Sequence, residues 1–220
     1  MIFAIEGMKN AVVLLNGPMG CRFYHSTTSQ YMTMRPLLYV PAGEDGRRIP
    51  VNDFMNPLFF NQQRVPCTYL DGYDYVYGTR DKVKEALTSI KDNIDFDIIA
   101  IINSPGAALI GDNLLELARE VLGDTTAVMV ESSGYSSTFE KGFSVASLAL
   151  LSQVALPLWE KKMSEHDGVK TVNVFGISVW NRYQDGDIEE LTRLFDLCGI
   201  KVNTFLCDGT DIESLGRMPK

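Results

Sequence analysis

The sequence predicts an α/β domain in which helices flank a parallel sheet on both faces. Three observations carry this expectation. Short runs rich in branched apolar residues recur at 11–15 (AVVLL), 96–102 (FDIIAII), 126–130 (TAVMV) and 171–177 (TVNVFGI), with a weaker run at 201–206 (KVNTFL). Segments of helical periodicity lie between them. The runs are apolar almost without interruption, as strands covered on both faces are.

The elements follow in order. The first strand leads into Asn16-Gly17-Pro18-Met19-Gly20-Cys21 and then a helix expected from Arg22 onward. From 41 to 72 the pattern breaks: Pro41, Pro50, Pro57 and Pro66, with Gly43 and Gly46, argue for loop and short irregular pieces. So long a loop in a compact domain is usually functional or an interface. Residues 81–93 set Val83, Ala86, Leu87 and Ile90 on one helical face. Residues 112–122 do the same with Leu114, Leu115, Ala118, Val121 and Leu122, and Asp112 is the expected N-cap. The longest helical candidate is 139–163. Its apolar part, from Phe143 to Trp159, carries Ser144, Ser147, Ser152 and Gln153 and reads as a buried helix, not a membrane span. Residues 187–198 form a further stripe through Ile188, Leu191, Leu194, Phe195 and Cys198, and 211–215 open a short helix. Strand and helix in alternation make the domain Rossmann-like.

Composition narrows the function. At roughly 150 residues per domain, 220 residues are read as a single α/β domain spanning 1–220. A hydrophobic share of 45% supplies a sizeable core. With 28 acidic against 20 basic residues the net charge is -8, which argues against a nucleic-acid surface. The opening Met-Ile-Phe-Ala-Ile-Glu has no secretory signature, and four cysteines are too sparse for a disulfide framework, so a reducing, cytoplasmic setting is expected.

Ligands of open α/β sheets gather beyond the carboxyl ends of the strands. At the first such end, Gly17 and Gly20, with Pro18 between them, let the backbone turn sharply and approach a bound group. A cysteine at the start of a helix feels the positive end of the dipole, which favours the thiolate that binds metal or attacks. Cys21 is thus either a functional thiol or a buried cysteine in an ordinary strand-to-helix turn. Cys67, in Val65-Pro66-Cys67-Thr68-Tyr69-Leu70, is either a ligand or a small packed residue. No C-x-x-C pair occurs, and two isolated cysteines cannot complete a four-coordinate site. A cluster at Cys21 and Cys67 would therefore draw ligands from a second chain. Cys198 and Cys207 read as packing residues, and His25 and His166 as solvated or hydrogen-bonded side chains. Ser104 to Asp112 (SPGAALIGD) and Ser132 to Ser137 (SSGYSS, with Gly134 and Tyr135) follow two other strands. Three Gly/Ser loops would converge on one sheet edge and build a pocket floor of backbone N–H groups, suited to a small anion. The sequence contains no G-x-G-x-x-G, P-loop, G-x-S-x-G or H-E-x-x-H motif, so nicotinamide, ATP and hydrolase readings lose support.

The succession N-G-P-M-G-C at 16–21, D-Y-V-Y-G-T at 74–79, A-L-I-G-D-N at 108–113 and S-S-G-Y-S-S-T-F-E-K-G-F at 132–143 resembles the nitrogenase component 1 family. That family includes nitrogenase subunits, light-independent protochlorophyllide and chlorophyllide reductases, a tetrapyrrole reductase of coenzyme F430 synthesis, and cofactor-assembly scaffolds. The resemblance implies the N-terminal domain of a longer, multi-domain oxidoreductase subunit. It implies an iron–sulfur cluster held at the interface with a sister subunit, and low-potential electrons arriving from a separate ATP-dependent iron–sulfur reductase. Cys21 matches the cluster-ligating cysteine of G-P-x-G-C, and Gly20 the glycine beside it. Ser104-Pro105 stands where the resemblance implies another cysteine, and a third would precede G-P-x-G-C. Metal ligation is therefore expected from Cys21, with Cys67 as a candidate replacement. Cofactor contacts are expected from Gly17, Pro18, Gly20, Ser104, Gly134 and Tyr135. The alternative within the same family is an assembly scaffold or a cluster-less subunit.

Overall fold

The computed structural model describes residues 1–21, 49–50, 65–131, 138–161, 170–181 and 183–218. Gly134, Tyr135, His25, His166, the helix expected after Arg22 and most of the 41–72 segment lie outside the described residues.

Three parallel strands form the central sheet: β1 (Ala11–Asn16), β4 (Ile98–Asn103) and β5 (Thr126–Val130), in the order β1-β4-β5. The register pairs Ala11 with Ile98 and Asn16 with Asn103, then Ile98 with Thr126 and Ile102 with Val130. Every residue of β4 is buried. Alternate residues serve opposite faces: Val13, Leu15, Ile98, Ala100 and Ile102 pack into one core, and Val12, Leu14, Ile99 and Ile101 into the other. The apolar runs of β1 and β4 thus have the predicted cause, burial on both sides, whereas β5 buries only Val128 and Val130 and the run at 171–174 is half-buried throughout. A pair of two-residue strands, β2 (Ile49–Pro50) and β3 (Ile94–Asp95), is also parallel.

The helices cover both faces. On one lie α3 (Arg80–Asn93) and α5 (Leu114–Leu122), which bury Val83, Leu87 and Ile90, and Leu114, Leu117, Ala118 and Leu122. Spacings of three and four residues put each set on one stripe. The expected N-cap Asp112 does not cap α5. Asn113 does, its side chain accepting from Glu116 N–H at 3.3 Å, while the Asp112 carboxylate is drawn to Thr79. On the other face lie α1 (Ile2–Glu6), α6 (Phe139–Leu150) and α9 (Ile212–Arg217). The long helix expected there runs α6, a π-helical turn (Leu151–Ala155) and α7 (Leu156–Lys161). Phe139–Trp159 is long and apolar enough by composition to cross a membrane. Here Ala146, Leu150, Val154 and Ala155 carry one of its faces into the core.

A second parallel pair, β6 (Thr171–Val174) and β7 (Lys201–Phe205), encloses α8 (Gln184–Leu197) in sequence. The turn after β7 fastens this unit to the first. Gly209 N–H donates to the Gly7 carbonyl at 2.6 Å, and a Cβ on Gly7 would overlap the Cys207 carbonyl oxygen. Leu206, Cys207 and Leu215 join the core of α1 and β1. The expected stripe of α8 does not become core: Ile188, Leu191 and Phe195 are half-buried, and Leu194 and Cys198 are exposed. Three short helices give no periodic signal in the sequence: α1, α2 (Gly72–Tyr77) and α4 (Pro105–Ala108).

Candidate functional site

Three chain segments meet at the carboxyl end of β1. Residue 17 begins the turn, residues 19–21 are helical, and Cys21 N–H donates to the Pro18 carbonyl at 3.2 Å. Along the outer edge of β1 runs the segment 65–70. Leu15 N–H donates to Pro66 O at 2.9 Å, Thr68 N–H to Leu15 O at 3.1 Å, and Leu70 N–H to Gly17 O at 3.0 Å. Cys67 is thereby held opposite Leu15 as a parallel bridge, and its thiol donates to the Gly17 carbonyl at 3.2 Å. On the inner side, Ser104 N–H donates to Asn16 O at 2.8 Å. A Cβ on Gly17 would sit 2.8 Å from Ser104 Cβ and 3.9 Å from Cys21 Cβ. Glycine is required there by close approach, and Cys21, Cys67 and Ser104 surround it.

Beneath this turn lies a buried polar network. Gly17 N–H donates to Thr68 Oγ1 at 3.1 Å, and Thr68 Oγ1 donates to Asn16 Oδ1 at 2.9 Å. The Asn16 amide donates to Thr79 Oγ1 at 3.1 Å and to Asn103 Oδ1 at 2.9 Å. Thr79 passes its N–H and hydroxyl to the Asp112 carboxylate at 2.7 and 2.9 Å, and Asn103 donates to Glu131 at 3.3 Å. Every bond runs from the turn toward a carboxylate, so the polarity of the chain is fixed. Asn16, Thr68, Thr79 and Asn103 are all buried, and such groups are tolerated only when paired. The segments at 74–79 and 108–113 thus meet through Thr79 and Asp112.

The thiols differ. Cys21 is half-buried, and burial pushes its thiol above the ordinary value. Loss of water around the sulfur disfavours the thiolate and so opposes the effect of a helix start. Cys67 is half-buried and Cys198 exposed. Cys207 is fully buried beside Ser147 Oγ, 3.4 Å away, and burial pushes it up to about 11. Among the described residues, no three His, Cys, Asp or Glu side chains gather as a metal-binding group.

Of the expected site residues, Gly17, Pro18, Cys21, Cys67 and Ser104 come together. Gly20 is exposed beside them, with no described atom within 4 Å of a Cβ built on it. The Ser104 hydroxyl is turned inward, accepting from Ala107 N–H at 3.4 Å as the cap of α4. The loop amides expected to floor an anion pocket are engaged internally at Gly17, Cys21, Ser104 and Ala107. Sequence reasoning missed the network. Its signal was the asparagine that ends both apolar runs, AVVLLN and IIAIIN, at paired positions.

The family model for nitrogenase component 1 type oxidoreductases matches residues 1–220. The nitrogenase molybdenum-iron protein alpha chain of Methanothermobacter marburgensis is 26% identical over 206 residues, covering 91% of this chain and 40% of the relative. A light-independent protochlorophyllide reductase subunit of Staurastrum punctulatum is 22% identical over 199 residues, covering 87% of this chain and 38% of the relative. The fold is shared with nitrogenase Cp1 at pH 6.5, with a TM-score of 0.62, 23% identity, and coverage of 97% of this chain and 37% of that one. The chain spans about two fifths of the length of these relatives. A family match over every residue, on a parallel α/β sheet with the G-P-M-G-C turn at its carboxyl edge, places this chain in the nitrogenase component 1 type oxidoreductase family.

Proposed function

We propose that this chain is the N-terminal α/β domain, 1–220, of an oxidoreductase subunit that helps hold an iron–sulfur cluster at a subunit interface and takes part in low-potential electron transfer. The observation that carries the reading is the position of Cys21. It is half-buried at the lip of the sheet, in the turn after β1, its Cβ close to Gly17, which in turn lies against Ser104. A cluster bound there supplies one-electron redox chemistry. The chain's own contribution is a sulfur ligand on a turn braced by the Asn16 network, with the apolar core packed against one side of it. Pro18, Gly20, Gly134 and Tyr135 are assigned to the cofactor side of the same edge.

The partners are a sister subunit of the same family and an ATP-dependent iron–sulfur reductase as donor, in the cytoplasm. Support comes from the relatives, which are named as one chain or subunit of larger proteins. Support also comes from α2, which presents Tyr73, Val76 and Tyr77 to solvent next to the site. Exposed aromatic residues are enriched where proteins meet. Iron and sulfide analysis under anaerobic conditions, on the chain with its sister subunit, tests the reading. Cys21→Ala should abolish the cluster absorbance, and retention of the full signal overturns the assignment of Cys21. A second reading, an assembly scaffold or cluster-less subunit, is favoured by Ser104 standing with its hydroxyl committed to Ala107. Absence of iron from the anaerobic complex selects it.

A further inference from the structure

Cys67 occupies no position that the family motif assigns, yet the fold delivers it to the same turn as Cys21. The segment 65–70 adds to the free edge of β1, and its register sets Cys67 beside Leu15. Cys67 and Cys21 both pack against the core on the α1 and α6 side of the sheet. Cys67 Sγ lies 3.2 Å from Gly17 O and 4.0 Å from Pro18 O, and Cys21 Cβ lies 3.9 Å from a Cβ built on Gly17. The Cys67 sulfur and the Cys21 Cβ therefore border one glycine, both residues pack on one face of the sheet, and no disulfide joins them. Ser104 borders the same glycine but is 4% exposed and caps α4, so its oxygen faces inward.

We propose that Cys21 and Cys67 form a two-thiol half-site for a thiophilic metal centre, in which Cys67 takes the second ligand position and Ser104 takes none. The proposal rests on the reading of Cys21 above and names its chain-borne partner. Binding removes one proton from each thiol and forms two sulfur–metal bonds. The remaining ligands come from outside these residues, because two thiols fill half of a four-coordinate site.

The test uses the full chain and two probes that need no enzyme activity. Dibromobimane becomes fluorescent when both arms alkylate neighbouring thiols. It should cross-link Cys21 to Cys67 in the wild type and in Cys198→Ala, and in neither Cys21→Ala nor Cys67→Ala. Cobalt(II), followed by its thiolate charge-transfer absorbance, should bind at least about tenfold more weakly to Cys67→Ala than to the wild type. Loss of even an outer partner of a ligand costs roughly 10–100-fold. Cys67→Ser keeps a donor for the Gly17 carbonyl and should show the same cobalt loss with unchanged thermal unfolding. No cross-link, or undiminished cobalt binding by both Cys67 variants, overturns the proposal. Iron and sulfide measured on the same samples separate the two claims. Cobalt binding by both thiols with no iron uptake by the wild-type complex keeps the half-site and removes the iron–sulfur reading. Iron uptake unchanged in Cys67→Ala removes Cys67 alone.

Discussion

Asn16 and Asn103 face each other across paired positions of β1 and β4, and the amide of Asn16 donates to the side-chain oxygen of Asn103 at 2.9 Å. Both strands change at that step from apolar to polar, and the change is buried: Asn16 is 0% and Asn103 2% exposed. The pair marks where core ends and site begins.

Asn16→Ala should destabilise the chain by about 2–4 kcal/mol. It removes three bonds and leaves Thr68, Thr79 and Asn103 buried with a lost partner, and each such group costs roughly 1–3 kcal/mol before relaxation. Urea denaturation at neutral pH reads the change. A loss below about 0.5 kcal/mol would mean that the network contributes little.

Gly17→Ala should cost about 1–3 kcal/mol, because the new methyl meets Ser104 Cβ at 2.8 Å and Oγ at 2.9 Å. Ser104→Gly removes both of the contacted atoms. The double variant should therefore recover part of the loss, and a double-mutant cycle gives the coupling. Strict additivity would show that the clash is relieved elsewhere.

Asp112 and Asn113 should separate by their partners. Asn113→Ala removes the α5 cap and costs about 1 kcal/mol. Asp112→Ala leaves the Thr79 N–H and hydroxyl without their acceptor and should cost more, about 2–3 kcal/mol. The reverse order in chemical denaturation would return the capping role to Asp112.

Stability should fall at high pH through Cys207. Burial raises this thiol from 9.0 to about 11 in the folded chain. The neutral thiol's contribution is fully present below about pH 9 and is lost as pH rises toward 11, because the unfolded chain releases the proton first. The gap corresponds to roughly 2–3 kcal/mol. Cys207→Ala should flatten the decline between pH 8.5 and about 11, measured by urea midpoints; an unchanged slope assigns the decline to other groups.

The central sheet was legible because β4 is buried along its whole length, and only an apolar run survives there. The stripes of α3 and α5 were legible for the same reason, since Val83, Leu87, Leu114 and Ala118 have no route to water, although in α5 the fully buried Leu117 lay outside the expected stripe and Leu115 and Val121 are only half-buried. The stripe of α8 was equally apolar, but periodicity says which residues share a face and not whether anything covers it. α1 spans five residues, too few to show a period. At the site, Cys21 was legible from a local rule, a turn after a strand. The neighbourhood of Cys67 was not, because it depends on 65–70 pairing with β1, a contact fifty residues apart in sequence. Asp112 was misjudged on similar grounds: its partner Thr79 lies 33 residues earlier, and a charge-assisted bond outweighs a local cap.

The amides of Gly17, Cys21 and Ser104 are all committed within the chain. The contour of this edge is consequently self-supporting, like a mould that has already set. An incoming macromolecule would meet it with little stiffening left to do, and its grip would depend on what the two sulfurs and the neighbouring tyrosines offer rather than on reshaping the turn.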